Sequence, residues 1–406
     1  MSRPAALLGW ALLIQSAFAG QAPRDYWMYI GAYTYLGSPG ISVYKYHSTT
    51  GKVESGGLAT GSLWQSNRDA LSGSLPRMVA QMRAEWPSMK MMARGVQNPS
   101  FLAVHPNGRF LYTADENPSG TVSAFRIDPA TGKLTMLNSQ PSNGNKPCFV
   151  TVDHTGRWLL ATNFMSGSVV VLPIHSDGSL GPVTSLVQHS GSGTGNLGPH
   201  PHSVNLSPDN RFALAADLGL DEIRVYRFDQ DRGILTPNDP PLVRTPANAG
   251  ARHLSFHPNG NLAYVIEELG SSITAMRWDS EHGVPAPIET VSTLPKDSHV
   301  KSGAAEVLVR PDGRFLYASS RGPNIVTVFR IDAVTGQLTP IQYISTQGKQ
   351  PRNFRIDPTG NYLFAGNVET NNVVQFHIDR QSGFLKPTGL AFQVVGPTCI
   401  KFAPAQ

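Results

Sequence analysis

Residues 98–116 read NPSFLAVHPNGRFLYTADE, and the phrase returns as KPCFVTVDHTGRWLLATN at 146–163 and as PHSVNLSPDNRFALAAD at 201–217. Three further copies turn at Pro258, Pro311 and Pro358, each with a glycine two residues on. A recurrence of about fifty residues predicts stacked supersecondary units. Within a copy, a short apolar run (101–104, 204–206, 254–256) meets a Pro-x-Gly or Pro-Asp-Asn turn. Proline presets φ, and glycine or asparagine tolerates positive φ, so the turn has a mechanism. A second apolar run follows (110–113, 212–215, 315–318), then an alternating one (121–127, 222–228, 325–331). An Asp-x-x-Thr-Gly turn, as at 128–132 and 332–336, leads into a short outer strand. Four antiparallel strands per repeat make a propeller blade.

Six copies are complete and the seventh is split. Residues 396–404 look like a lone first strand, and 27–32, 41–46 and 52–54 look like strands two to four. Pairing the two chain ends closes the ring and protects its edge strands. The expected fold is therefore all-β, a seven-bladed β-propeller whose N- and C-terminal strands share one blade.

Residues 1–19 read separately. Arg3 precedes an apolar run from Ala5 to Ile14, and Ala17-Phe-Ala offers a small-x-small cleavage site. This predicts a signal peptide cut near Ala19 and export to the periplasm or beyond. The run is too short to span a bilayer, and no other span is evident. Residues 20–406 then form one domain, interrupted at 59–94 by a Met-rich, basic insertion. It holds Arg68, Arg77, Arg83, Lys90 and Arg94 against Asp69 and Glu85. The insertion reads as a surface loop, with lipid or partner contact as the other use. Once it and Arg3 are set aside, little of the formal net charge of +5 remains, so nucleic acid is not an expected partner. The two cysteines, Cys148 and Cys399, fall in non-adjacent blades and are expected to stay unpaired.

The repeat supplies its own control for locating a site. Counting each copy from its turn proline (His154 stands there in the second), position −6 reads Ser100, Cys148, His202, Arg252, Ala305, Arg352 and Thr398. Position +10 reads Glu116, Phe164, Leu218, Glu268, Arg321 and Val368. Hairpin symmetry about the turn places −6 beside +10, both at one mouth of the central channel. Position +9 is polar in every copy and reads as a cap on backbone donors at the strand end. Three consecutive blades thus bring His202, Arg252, Glu268 and Arg321 together, with Arg352 and Glu116 as further substrate-binding candidates. Guanidiniums grip anions with fixed paired donors, and His and Glu move protons. A structural ion-pair cluster is the alternative.

Other motifs carry less. Gly193-x-Gly-x-x-Gly leads into Pro-His-Pro-His rather than a helix, so it is no dinucleotide fingerprint. No Gly-x-Ser-x-Gly elbow is present. His200 and His202 lack an evident third metal ligand. No metal and no cofactor is expected.

The chain resembles the seven-bladed propeller lactonases, the group of bacterial 6-phosphogluconolactonase and the fungal 3-carboxy-cis,cis-muconate lactonising enzyme. The resemblance rests on YIGAYT at 29–34, NPSFLA at 98–103, the 202–209 and 216–221 segments, ARHLSFHP at 251–258, Glu267-Glu-Leu and Ser320-Arg-Gly. It implies lactone hydrolysis without metal, on a small and anionic lactone, with site residues falling on His202, Arg252, Glu268 and Arg321. Glu268 or His202 would serve as base. A cycloisomerase using the same residues and a non-catalytic binding module of the cell envelope remain alternatives.

Overall fold

The computed structural model describes residues 24–59, 96–193, 195–298, 300 and 302–406. The leader reading at 1–19 and the insertion at 59–94, Ala59 apart, lie outside the described residues. Seven four-stranded antiparallel sheets account for the strands described, beside one short 3-10 turn at Thr34–Leu36. Blades one to six begin with Pro99–Val104, Pro147–Val152, Pro201–Leu206, Ala251–Phe256, Ala304–Val309 and Pro351–Ile356. Blade seven pairs Pro397–Pro404 with Asp25–Ala32, followed outward by Ser42–His47 and Lys52–Leu58. Each first strand lies against the first strands of both neighbouring blades, blade seven against blade one included, so the ring closes around a central channel.

Burial follows from that layering. Second strands are sandwiched on every side, and Phe110–Asp115, Phe212–Asp217 and Phe315–Ser320 are buried throughout. Outer strands such as Leu338–Ser345 are largely exposed, which is why their sequences are the most polar and the least alike. Cys148 and Cys399 are free and buried.

One clasp recurs from blade to blade. The glycine of each Asp-x-x-x-Gly turn adopts positive φ and lies against a large side chain that opens the second strand of the preceding blade. Gly233 meets Trp158, Gly283 meets Phe212 and Gly383 meets Phe315; across the closure, Gly51 meets Tyr362 and Gly132 meets Trp27. The same glycines accept tyrosine hydroxyls: Tyr29 donates to Gly132 O at 2.8 Å and Tyr317 to Gly383 O at 2.8 Å. Gly283 therefore serves two demands, a φ of 72° and a surface with no room for Cβ. Gly389 isolates the first demand, with φ 88° and nothing within 4 Å of an added Cβ. Gly389→Ala is expected to cost about 1 kcal/mol of backbone strain. Gly283→Ala should cost about 2–4 kcal/mol, because overpacking adds to the strain. Urea midpoints of the two variants check the difference.

Candidate functional site at the channel mouth

The strand ends that carry the site are not the regular hairpins that symmetry about the turn predicts. In blade four, Ala251 pairs with Glu267 and His253 with Ile266, which leaves Arg252 as an extra residue. The same shift isolates His202 between Pro201 and Ser203, and Arg352 between Pro351 and Asn353. Position −6 is thus a β-bulge in every blade, with a wider irregularity spanning Ala305 and Glu306 in blade five. This corrects the expected pairing of −6 with +10. Position +10 bonds instead to the residue two places earlier: Glu268 N donates to Gly250 O at 2.8 Å, and Arg321 N to Gly303 O at 3.1 Å. A bulge adds a residue without a partner and re-aims side chains. Here it turns both −6 and −5 toward the channel.

The polar +9 position also proves more varied than a backbone cap. Asp217 does cap, accepting from the backbone N–H of His200 and Leu220 at 2.8 and 3.1 Å. Glu267 instead takes hydroxyls from Ser272 and Thr274, and Asn163 donates to Ser142 O.

At the mouth, Arg252 Nε donates to Glu268 Oε2 at 2.8 Å, and Arg321 Nη2 lies 2.7 Å from Glu268 Oε1. Arg252 Nη1 also donates to Ala305 O, and Arg321 Nε to Gly303 O at 3.0 Å. Across the opening, Arg352 Nη2 lies 3.7 Å from Glu116 Oε2, which accepts the Tyr33 hydroxyl at 3.1 Å. The Arg352 guanidinium covers the Tyr33 ring at 5.5 Å. His202 is buried, its ring edge-on to Phe164 and to His253 at 5.5 and 5.1 Å. Its Nδ1 has no hydrogen-bond partner. His200 does not join it: Nδ1 of His200 is committed to Phe164 O at 2.9 Å.

The family model described as "Lactonase, 7-bladed beta-propeller" matches residues 81–402. The chain belongs to the seven-bladed β-propeller lactonase family. It is 34% identical over 269 residues to a 6-phosphogluconolactonase of Bacillus subtilis, which covers 66% of this chain and 76% of that protein. A 6-phosphogluconolactonase of Cronobacter sakazakii is 35% identical over 256 residues, 63% of this chain and 73% of its own. The solved periplasmic gluconolactonase of Pseudomonas aeruginosa superposes with a TM-score of 0.80 at 28% identity, covering 94% of this chain and all of its own (100%).

Electrostatics distinguish the groups at the channel mouth. Three guanidiniums face two carboxylates, so one positive charge is left over. Burial holds His202 well below the ordinary histidine range, reinforced by Arg252 and its neighbours His253, Arg352 and Arg321. It is neutral at pH 7 and able to accept a proton. Burial works to raise the Glu268 carboxyl, but Arg252 and Arg321 outweigh it and hold the group below the usual glutamate range. Burial draws Arg252 down to about 10, still charged at neutral pH.

Tyr33 and His253 escaped the reading of the repeat. Tyr33 is the +10 residue of the split blade: its N–H donates to Gly396 O at 3.2 Å, as that of Glu268 does to Gly250 O, but the turn proline of that blade, Pro404, lies at the far end of the chain. His253 sits at −5, a column that reads Phe101, Phe149, Ser203, His253, Glu306, Asn353 and Cys399. That column varies in kind as much as −6 does, and only the bulge explains why both face inward.

Proposed function

We propose that this lactonase hydrolyses a small lactone carrying an anionic group, in the manner of 6-phosphogluconolactonase, at the mouth formed by His202, Arg252, Glu268, Arg321, Arg352 and Glu116. The observation that carries the reading is the unpartnered Nδ1 of a buried, neutral His202 beside an uncompensated positive charge. An orphaned buried nitrogen costs stability and is retained where a ligand or a reacting proton meets it.

In the proposed mechanism a water attacks the ring carbonyl carbon and His202 takes its proton. Arg321 commits Nε and Nη2 to Gly303 and Glu268, which leaves Nη1 to meet the developing oxyanion. Arg352 holds the substrate's anionic group. Collapse of the tetrahedral intermediate breaks the ring C–O bond. The departing alkoxide recovers the proton from His202, giving the open hydroxy acid. Glu268, with both oxygens held by guanidiniums, positions Arg252 and Arg321 rather than serving as base. No step is assigned to a metal.

The leader-like residues 1–19 and the periplasmic gluconolactonase among the relatives support an exported enzyme. Among the described residues no helix is long and apolar enough to cross a membrane.

The test is pH-stat hydrolysis of phosphorylated, carboxylated and neutral lactones in chelator, with spontaneous opening subtracted. Preference for the anionic lactones is expected. No turnover above background on any of them would favour a binding module. Lactone formation from an unsaturated diacid would favour the cycloisomerase.

The pH profile tests the base. The proton-accepting form of His202 persists until pH falls through its depressed pKa. With a carboxylated lactone, whose own charge does not titrate near neutrality, kcat/KM is expected to hold level down through 6.5 and to decline only below it. An acid limb centred at or above 6.5 would contradict the assignment.

A further inference from the structure

Below the mouth, the −5 residues build a floor across the channel. Phe101 stacks on Phe149 with centroids 4.2 Å apart, and both meet the His253 ring edge-on at 5.6 and 5.3 Å. Under this floor lies a cavity of about 80 Å³ whose polar lining is Asn205, His253, Glu306, Asn353, Arg355 and Lys401. Such a volume exceeds what one or two waters need.

Arg355 and Lys401 stand at −3 on adjacent inner strands, those of blades six and seven. Among the described residues neither side chain has a hydrogen bond or ion pair. Lys401 Nζ sits 4.7 Å over the Phe101 ring, a contact that leaves its N–H donors open. The one carboxylate in the lining is already taken. Glu306 Oε1 accepts from His253 Nδ1 at 3.0 Å and from Val307 N at 3.1 Å, and Oε2 accepts from Asn353. Two cations therefore face one cavity against a single carboxylate whose acceptors are occupied. Two like charges half-buried side by side repel, and the Glu306 charge, which attracts both, offsets only one of them. Asn205, in the same lining, adds an amide able to donate.

We infer that the lower channel is a second anion site, distinct from the lactone-binding mouth, which takes one small oxyanion between Arg355 and Lys401. Phosphate or a carboxylate of similar size suits the volume and the donors. The aromatic floor separates this ion from the substrate. His253 links the two levels, with Nδ1 on Glu306 and Nε2 3.5 Å from Arg252 Nη1.

Calorimetric titration of the mature protein with inorganic phosphate tests the site, using wild type, Arg355→Gln and Lys401→Gln. Wild type should bind phosphate at the mouth and in the channel, two per chain. Each variant should lose one of these sites or weaken it at least tenfold, while lactonase activity in phosphate-free buffer stays at the wild-type level. Each variant should also melt at or above the wild-type temperature without phosphate, since a like-charge repulsion is gone. Loss of binding in an Arg352→Ala control, but in neither channel variant, would overturn the proposal. Crystals of the wild-type protein soaked in phosphate give a readout that needs no variant. Density between Arg355 and Lys401 supports the site, and its absence at saturating phosphate refutes it.

Discussion

His202→Leu should lower kcat/KM by about 10²–10⁴ while leaving the unfolding free energy unchanged or slightly raised. The two halves of this expectation have one source. His202 is only 4% exposed, and its Nδ1 meets no donor or acceptor. A buried polar atom in that condition is a standing cost to the fold, on the order of 1–3 kcal/mol. An apolar side chain therefore loses ring contacts with Phe164 and His253 but sheds that cost. A purely structural histidine behaves differently. His189 donates to Asp217 at 2.6 Å and accepts the Tyr226 hydroxyl at 2.8 Å, so its removal strands two buried partners and lowers stability. Lactone kinetics and urea unfolding on His202→Leu and His189→Leu, side by side, separate the roles. Retained activity in His202→Leu would remove it from the reaction. A large stability loss would mark it as core.

The repeat made the architecture legible because each copy restates the same physical problem. Four strands, a Pro-x-Gly turn and an Asp-x-x-Thr-Gly turn recur, so even the split blade could be completed from its fragments at 27–54 and 396–404. The convergence of Arg252, Glu268 and Arg321 was legible for a related reason: charge at positions where sister blades carry Ala305, Leu218 or Val368 has no architectural explanation. The bulge was not legible. It inserts one residue per blade, identically, and none of the bulged residues is a glycine that would advertise it. Counting from the turn therefore brought Arg252, Glu268 and Arg321 together by the wrong pairing, and it hid the −5 column with His253 and Glu306. Tyr33 was out of reach for another reason. It is the +10 residue of the split blade, but its turn proline, Pro404, stands at the other end of the chain, so counting forward from the turn never arrives at it.

Glu268→Ala should be the most damaging single change at the mouth, costing about 3–5 kcal/mol of stability and at least 10³ in kcat/KM, more than Arg252→Met on the first count. The asymmetry follows from where each charge sits. The Arg252 side chain is 1% exposed and that of Glu268 21%. Deleting Glu268 strands a fully buried guanidinium and frees Arg321 as well, so two cations lose their counterion together. Deleting Arg252 removes the most costly charge of the cluster and leaves Glu268 still paired with Arg321 at 2.7 Å. Its stability loss should stay near 1–2 kcal/mol, mainly the unsatisfied Ala305 carbonyl. Linkage gives the same ordering a pH signature. Glu268 is depressed below the ordinary 4.5, so its contribution is full above that pH and is lost as pH falls through the depressed value. The stability gap between wild type and Glu268→Ala should hold level from pH 7 to about 5 and narrow only in more acidic buffer. Denaturant titrations of wild type, Glu268→Ala and Arg252→Met across that range check both claims. A gap that closes near neutrality, or an Arg252→Met protein weaker than Glu268→Ala, would mean that Glu268 is not the keystone of the guanidinium pair, and its role as a positioning residue would fall with it.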